Sequence, residues 1–127
     1  MNGRILRWTK GQPKPSDWPD WLACADIEWC DVEISHNQVI WHNGKWNSGT
    51  WRGGTWRYGE WQNGEWVKGD WTTGTWHDGK WEHGTWRSGK WHNGTWHDGE
   101  WESGTWQAGV YKGCKHTTPH LEQLLKM

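Results

Sequence analysis

The chain has 127 residues with 14 basic and 15 acidic side chains, and it contains 18 Trp, 18 Gly and no Phe. This length predicts one domain or one repeat array. The net charge of −1 excludes a strong field of either sign, so we expect neither nucleic acid nor a membrane as a partner. No apolar run could cross a bilayer and the N-terminus lacks a signal-peptide core, which predicts a protein made in the cytoplasm.

Residues 1–24 form the first segment, an irregular N-terminal cap or docking arm in which three prolines interrupt any regular pattern. Its basic residues are predicted to form a solvated arm; they are Arg4, Arg7, Lys10 and Lys14. Its Trp residues are candidate docking residues, with packing into the core of the cap as the alternative; they are Trp8, Trp18 and Trp21.

Residues 25–40 are the transition to a repeat array. Two of the three cysteines, Cys24 and Cys30, lie at its start, and Cys114 lies near the C-terminus. The odd number and the lack of zinc-finger spacing predict reduced thiols rather than a disulfide framework.

Residues 41–110 are fourteen uninterrupted copies of W-x-x-G-x. A fixed period is typical of repeat architectures, in which each unit packs on its neighbours and atypical ends cover the terminal units. The first position of every pentad is predicted to form the structural core, which consists of Trp41, Trp46, Trp51, Trp56, Trp61, Trp66, Trp71, Trp76, Trp81, Trp86, Trp91, Trp96, Trp101 and Trp106.

Two all-β folds fit a period of five. Asn-Gly and Asp-Gly dipeptides, as at 43–44 and 98–99, are typical of tight hairpin turns and favour a single-layer antiparallel β-meander. A three-residue strand weakens that fold, because residues two apart point their hydrogen-bonding groups to the same side and cannot serve opposite neighbours. A ribbon would also leave its indoles on open faces.

The favoured fold is a single β-solenoid in which each pentad is one side of a coil and pairs in parallel with the coils above and below. Trp then points inward in every pentad. The Gly two residues before the next Trp also faces inward, which makes room for the indole and permits a positive φ at the corner.

The sequence resembles the pentapeptide-repeat proteins, whose consensus is A-(D/N)-L-x-x. Residues 25–29, ADIEW, and 30–34, CDVEI, match it well, and the array matches it with Gly in place of Ala and Trp in place of Leu. The resemblance implies a square right-handed β-helix with both residues inward. The pattern is also similar to Trp-rich W-x-x-G-x repeat proteins of bacteriophage and bacterial genomes, and shorter pieces resemble the ribbon-like MORN repeats, whose longer period is absent.

The number of pentads per coil stays open. From Asp70 to Thr105 the fifth pentad position alternates between a charged residue and Thr, a period of ten. This period suits two pentads per coil, with one rank of Thr and one rank of charges, and four pentads per coil would also obey it. The rank of Thr75, Thr85, Thr95 and Thr105 raises an ice-binding face as an alternative function.

Residues 111–127 are the predicted C-terminal cap. Thr118 is placed as a helix N-cap with Pro119 at the first helical position, which predicts a short helix. Its apolar stripe supplies further candidate docking residues, Leu121, Leu124 and Leu125.

Candidate chemistry is sparse. His77 with Asp78 and His97 with Asp98 would stack one coil apart if a coil held four pentads, and could then bind a transition metal. Cys114, His116 and His120 form a second cluster near the C-terminus. The alternative is that these residues are solvated. The sequence contains no phosphate loop and no catalytic triad pattern, so we expect no enzyme and no cofactor.

The sequence therefore favours a non-enzymatic structural or assembly protein: a rigid scaffold that docks protein partners through its ends, by self-association or in a larger assembly such as a bacteriophage virion. A glycan-binding module with exposed Trp is the main alternative. A DNA mimic, implied by the pentapeptide-repeat resemblance, would need a strongly acidic surface that this chain lacks.

Overall fold

The computed structural model describes residues 4–112. An N-terminal cap, residues 4–37, contains strand β1 (Leu6–Thr9), the one-turn helix α1 (Asp20–Ala23) and strand β2 (Asp26–Ser35). Strand β3 (Gln38–Ser48) follows and carries the first two Trp of the array. The segment predicted to be irregular thus contains a strand and a helix.

Each later pentad contributes a two-residue strand, formed by its aromatic residue and the residue before it. In chain order these strands are β4 (Thr50–Trp51), β5 (Thr55–Trp56), β6 (Glu60–Trp61), β7 (Glu65–Trp66), β8 (Asp70–Trp71), β9 (Thr75–Trp76), β10 (Lys80–Trp81), β11 (Thr85–Trp86), β12 (Lys90–Trp91), β13 (Thr95–Trp96), β14 (Glu100–Trp101), β15 (Thr105–Trp106) and β16 (Val110–Tyr111).

The strands stack in three parallel ladders, which confirms the predicted β-solenoid and excludes the meander. Trp41 pairs with Trp56, Trp46 with Trp61 and Trp51 with Trp66, so fifteen residues, or three pentads, complete a coil. About five coils follow one another. We name the sides face A (β5, β8, β11, β14), face B (β6, β9, β12, β15) and face C (β4, β7, β10, β13, β16); β3 begins both face A and face B.

The triangular cross-section differs from the two or four pentads per coil that the sequence left open, and from the square coil implied by the pentapeptide-repeat resemblance. Its physical basis is the size and shape of the indole. Successive Trp meet edge to face, with ring centroids 5.8–5.9 Å apart and planes inclined by 67–75°. In the first coil Trp41 and Trp51 close the triangle at 6.4 Å. Three indoles therefore fill the space inside one coil.

Along the solenoid axis the indoles form three stacked columns. Rings fifteen residues apart have centroids 4.6–5.0 Å apart and planes within 2–8° of parallel. All fourteen array Trp are at most 3% exposed, as predicted for an inward-facing core. Several indole N–H groups donate to a backbone carbonyl of the next coil, as from Trp61 to Asp78 and from Trp76 to Asn93, both at 3.1 Å.

The pentad glycines form the corners that bring the coils together. Gly84 has a φ of 122°, and a Cβ placed there would overlap the carbonyl oxygen of Gly69 in the coil below. That carbonyl accepts the backbone N–H of Thr85 at 3.0 Å, and the carbonyl of Trp71 accepts that of Arg87 at 2.8 Å. Close approach of the backbones therefore requires Gly at this corner.

The Asn-Gly and Asp-Gly dipeptides of the array are solenoid corners rather than hairpin turns. The side-chain oxygens of Asn63, Asp78 and Asp98 each accept the N–H of the following Gly at 2.8 Å. The hairpin turn lies instead at His36 and Asn37, whose φ values of 53° and 64° are those of a type I′ turn joining β2 to β3.

The cap closes the N-terminal end of the solenoid. Strand β2 pairs antiparallel with β3, with Ile27 beside Trp46 and Val32 beside Trp41, and so covers the start of faces A and B. On face C, Trp21 of α1 contacts Trp51 edge to face at 5.0 Å. Residues 25–34 therefore do not form two coil pentads, because antiparallel pairing with β3 makes them one extended strand despite their match to the consensus.

From Asp70 onward, threonine neighbours a charged residue along each ladder, whereas in the earlier coils Lys45 pairs directly with Glu60 and Glu65 with Lys80. Thr85 pairs with Asp70 below and Glu100 above, and Lys90 lies between Thr75 and Thr105. A sequence period of ten gives this arrangement because a coil contains an odd number of pentads. The predicted separate ranks are wrong: the four Thr are divided among faces A, B and C.

Candidate binding groove

The predicted docking Trp residues are integrated into the fold. Trp8 and Trp18 are 5% and 6% exposed and contact each other at 5.9 Å. Trp21 is half-buried, with part of its indole exposed beside the first coil. Two of the three thus follow the alternative of core packing, and only Trp21 retains an accessible surface. Leu121, Leu124, Leu125 and the predicted C-terminal helix lie outside the described residues.

Arg7 and Lys10 are exposed to solvent, as predicted, but they and Lys14 have hydrogen-bond partners and belong to the folded cap rather than to a free arm. Arg7 donates to both carboxylate oxygens of Asp31 at 2.6 and 2.8 Å. Lys10 donates to Asp26 at 3.0 Å. The Lys14 ammonium donates to backbone carbonyls of Ala23 and Ala25, and burial lowers the pKa of Lys14. The hydrogen bonds from Arg7 and Lys10 lower the pKa of Asp31 and of Asp26.

The candidate metal ligands are not brought together, because three pentads per coil place His77 on face B and His97 on face C. His77 stacks on His92 of the next coil at 5.1 Å and lies 3.8 Å from a carboxylate oxygen of Glu60. Asp98 lies 3.5 Å from His83. Among residues 4–112, no group of three or more His, Cys, Asp or Glu could hold a metal ion.

The cysteines differ in accessibility. Cys24 is exposed at the end of α1, whereas Cys30 is buried in β2, where it pairs with Trp8 of β1. Burial raises the pKa of the Cys30 thiol to about 12, with a smaller contribution from the nearby Asp31 carboxylate. Cys114, His116 and His120 lie outside the described residues.

The principal groove of the candidate site lies where the cap meets the first two coils on the edge between faces C and A. It has a volume of about 470 Å³. It is lined by side chains from α1, from the β2–β3 turn with the start of β3, and from two coils. Its polar and aromatic lining includes Trp21, Asn37, Gln38, Arg52, Lys68 and Asp70.

A second depression of about 430 Å³ adjoins this groove on face C. Trp21 and Arg52 line both depressions, which therefore share one wall. Asp20, Cys24 and Thr50 contribute the rest of its polar lining. Together the two depressions form an elongated surface that could accommodate more than one unit of a chain-like ligand.

Gly53 keeps the groove open. It occupies the third pentad position, where every other array pentad carries a side chain. Its φ is not in the left-handed region, and a Cβ placed on it would meet only the Lys68 Cε, at an ordinary 3.8 Å. The backbone therefore does not require Gly at this corner, in contrast to Gly54 beside it, whose φ is 113°. The absence of a side chain at Gly53 therefore leaves space in the groove beside Lys68.

The groove carries unpaired charge. Among the described residues, Arg52 and Lys68 form no hydrogen bond or ion pair, whereas Arg7 and Arg87 each contact a carboxylate. The carboxylate of Asp70, which also lines the groove, likewise has no side-chain partner among residues 4–112. The sequence prediction missed these residues because their proximity depends on the three pentads per coil, and because α1, which forms another wall of the groove, was not predicted. The doubled glycine at 53–54, unique among the pentads, was the available signal.

Comparisons of the chain with family models, with curated proteins and with solved structures find no match. Within the described residues there is no helix of the length and apolarity needed to span a membrane.

Proposed function

We propose that the protein is a non-enzymatic structural scaffold: a rigid rod that is closed at its N-terminal end and docks through its C-terminal coil onto a second copy of itself. The observation that carries this proposal is the difference between the first and the last coil of residues 4–112. The cap covers the first coil on all three faces, as described above. The last described coil has a different surface.

Every residue of 101–110 except its two Trp is exposed. Gly104 and Gly109 are exposed, whereas Gly89 and Gly94 in the preceding coil are half-buried. Val110 is 52% exposed and is the one apolar residue at the fifth pentad position among the fourteen pentads. Exposed backbone at a strand edge favours pairing with another strand.

Strand β3 illustrates how such a pairing could form. It pairs in parallel with the next coil along one edge and antiparallel with β2 along the other. Two C-terminal coils related by a two-fold axis would also meet with antiparallel strands. Because the N-terminal ends are closed, this association supports a closed dimer rather than an open filament. The setting of such a dimer, including a bacteriophage virion, stays a prediction.

Sedimentation velocity of the full chain over a range of concentrations tests the proposal. We expect a concentration-dependent dimer, and we expect Val110→Lys to shift the population to monomer because it places two ammonium groups at the interface. Thr95→Lys is the matched control, since Thr95 pairs with Val110 one coil earlier on the same face. A monomeric native chain, a dimeric Val110→Lys variant, or equal dissociation by Thr95→Lys would each refute end-on docking.

A further inference from the structure

We propose that the groove between the cap and the first two coils binds a carboxylate-bearing sugar, a hexuronate unit of an acidic oligosaccharide. This site is independent of the docking function proposed above, because it lies at the opposite end of the solenoid. It also differs from the glycan-binding alternative of the sequence analysis, which relied on exposed Trp of the array.

The two cations of the groove select a ligand with negative charge. Arg52 and Lys68 line one groove from adjacent coils, and neither has a carboxylate partner among residues 4–112. Guanidinium and ammonium groups form their strongest hydrogen bonds with anionic oxygens. A carboxylate lying between them would receive charge-assisted hydrogen bonds from both sides.

Asp70 limits how much negative charge the groove accepts. Two cations and one carboxylate leave one net positive charge, which complements a monoanion rather than a phosphate dianion. A carboxylate is also a strong acceptor for hydroxyl groups. A ligand with one carboxylate and several hydroxyls therefore matches Arg52, Lys68 and Asp70 together.

The remaining walls suit a sugar ring. Trp21 supplies a partly exposed indole that is held against Trp51 and so loses little freedom on binding. Asn37 and Gln38 on the β2–β3 turn supply amides that both donate and accept hydrogen bonds. An apolar ring face with polar groups converging around it is the usual composition of a small-molecule site.

The adjoining depression extends the site to a chain of sugars. Because Trp21 and Arg52 line both depressions, the unit next to the one in the main groove would enter the second depression past the indole, with its hydroxyl groups rather than its carboxylate towards Asp20. Gly53 leaves room for the first unit, since a longer side chain at that corner would enter the main groove beside Lys68.

Isothermal titration calorimetry of the full chain with trigalacturonate tests the assignment, with the methyl-esterified trimer as the neutral probe. We expect the acid trimer to bind and the ester to bind at least about tenfold more weakly, because the charge-assisted hydrogen bonds are lost. Arg52→Gln and Lys68→Gln are each expected to weaken binding by a similar factor. Gly53→Gln should abolish it by filling the groove without straining the backbone.

Matched controls are Arg57→Gln and Lys90→Gln, which remove the same charges from exposed positions that line neither depression. Near-UV circular dichroism identifies folded variants before titration. Four results would each overturn the assignment: no heat from the native chain at millimolar trimer, equal binding of the ester, equal loss in the control variants, or tighter binding of a triglutamate peptide, which would identify the groove as a peptide site.

Discussion

The glycines of the array carry two separate constraints, and Gly84 illustrates both. Its positive φ strains any residue with a Cβ, and its backbone lies directly against Gly69 of the coil below. The two constraints act together, because a side chain would both strain the corner and push the coils apart. Gly53 has neither constraint, so the chain contains its own control for this effect.

We therefore expect Gly84→Ala to lower the free energy of unfolding by roughly 2–4 kcal/mol through strain and overpacking. Gly53→Ala should leave it nearly unchanged, or raise it slightly by restricting the unfolded chain. Urea unfolding followed by Trp fluorescence measures both. Equal stabilities of the two variants would contradict the close approach of the coils.

A second prediction at this scale concerns Cys30. The pKa of its buried thiol is raised to about 12 from the ordinary value of 9.0. Above pH 9 the unfolded chain loses this proton while the folded chain keeps it, so the free energy of unfolding falls as pH rises towards 12.

Urea unfolding across that window should show a steeper decline for the native chain than for Cys30→Ala, in which the other titrating groups are unchanged. Below pH 9 the thiol contributes no pH dependence in either state. The same slope in both proteins would show that Cys30 is accessible to solvent.

At the scale of the elements, the cap strand β1 is held to β2 partly by charge. The hydrogen bond from Arg7 lowers the pKa of Asp31 below its usual 3.8. The ion pair of Arg7 and Asp31 therefore stabilises the folded chain above pH 3.8, and this contribution is lost as the pH falls through the lowered pKa of Asp31 in the folded chain. Arg7 is exposed, so we expect the effect to be small and local.

The indole N–H of Trp8 donates a hydrogen bond to the Pro13 carbonyl at 3.3 Å. Its NMR resonance therefore reports on whether β1 stays in place in the cap. On acidification below pH 3.8 this resonance should shift or broaden, while that of Trp61 within the array stays constant. Asp31→Asn should show the perturbation already at neutral pH. An unchanged Trp8 resonance in that variant would mean that packing alone holds β1.

The pentad as an element was predictable because Trp and Gly each have one role at fixed spacing. The number of pentads per coil was not, because all three faces use the same pentad and the repeat contains no mark of where a coil ends. The alternation of Asp70, Thr75 and Lys80 pointed to an even number. In the triangular coil it instead places Thr85 between Asp70 and Glu100 on face A, which separates two like charges.

The candidate groove could not be predicted from the sequence, for a different reason. Arg52 and Lys68 are ordinary outward residues of the repeat; the fifteen-residue coil brings them together, and the packing of Trp21 against Trp51 adds the wall that makes a groove. Likewise, residues 25–34 match a coil consensus, yet their long-range pairing with β3 determines their conformation. Tertiary contacts outweighed local pattern in both places.

The whole molecule behaves as a one-dimensional stack, because each coil contacts only the coils above and below it. Since every pentad presents Trp and Gly at the same positions, we expect removal of one pentad, residues 76–80, to preserve the core and lower the melting temperature only modestly. Removal of residues 76–78 should instead unfold the chain beyond Thr75, because the inward and outward positions then exchange.

Thermal unfolding and the near-UV circular dichroism of the stacked indoles measure both deletions. A cooperative transition and a retained indole signal are expected for the five-residue deletion and not for the three-residue deletion. If both variants lost the signal, the pentads would not be interchangeable.

The division of each coil into three pentads also fixes the direction that the last described coil faces relative to the cap. Adding or losing one pentad turns the C-terminal coil by a third of a revolution relative to the cap and moves it along the axis by only a third of the spacing between coils. Gene duplication or slippage in units of fifteen nucleotides would therefore rotate the last coil about the solenoid axis in steps of one third of a turn. A partner docked on the last coil would then face a different side of the rod after each step. Its original orientation relative to the cap would return only after three pentads had been added or lost.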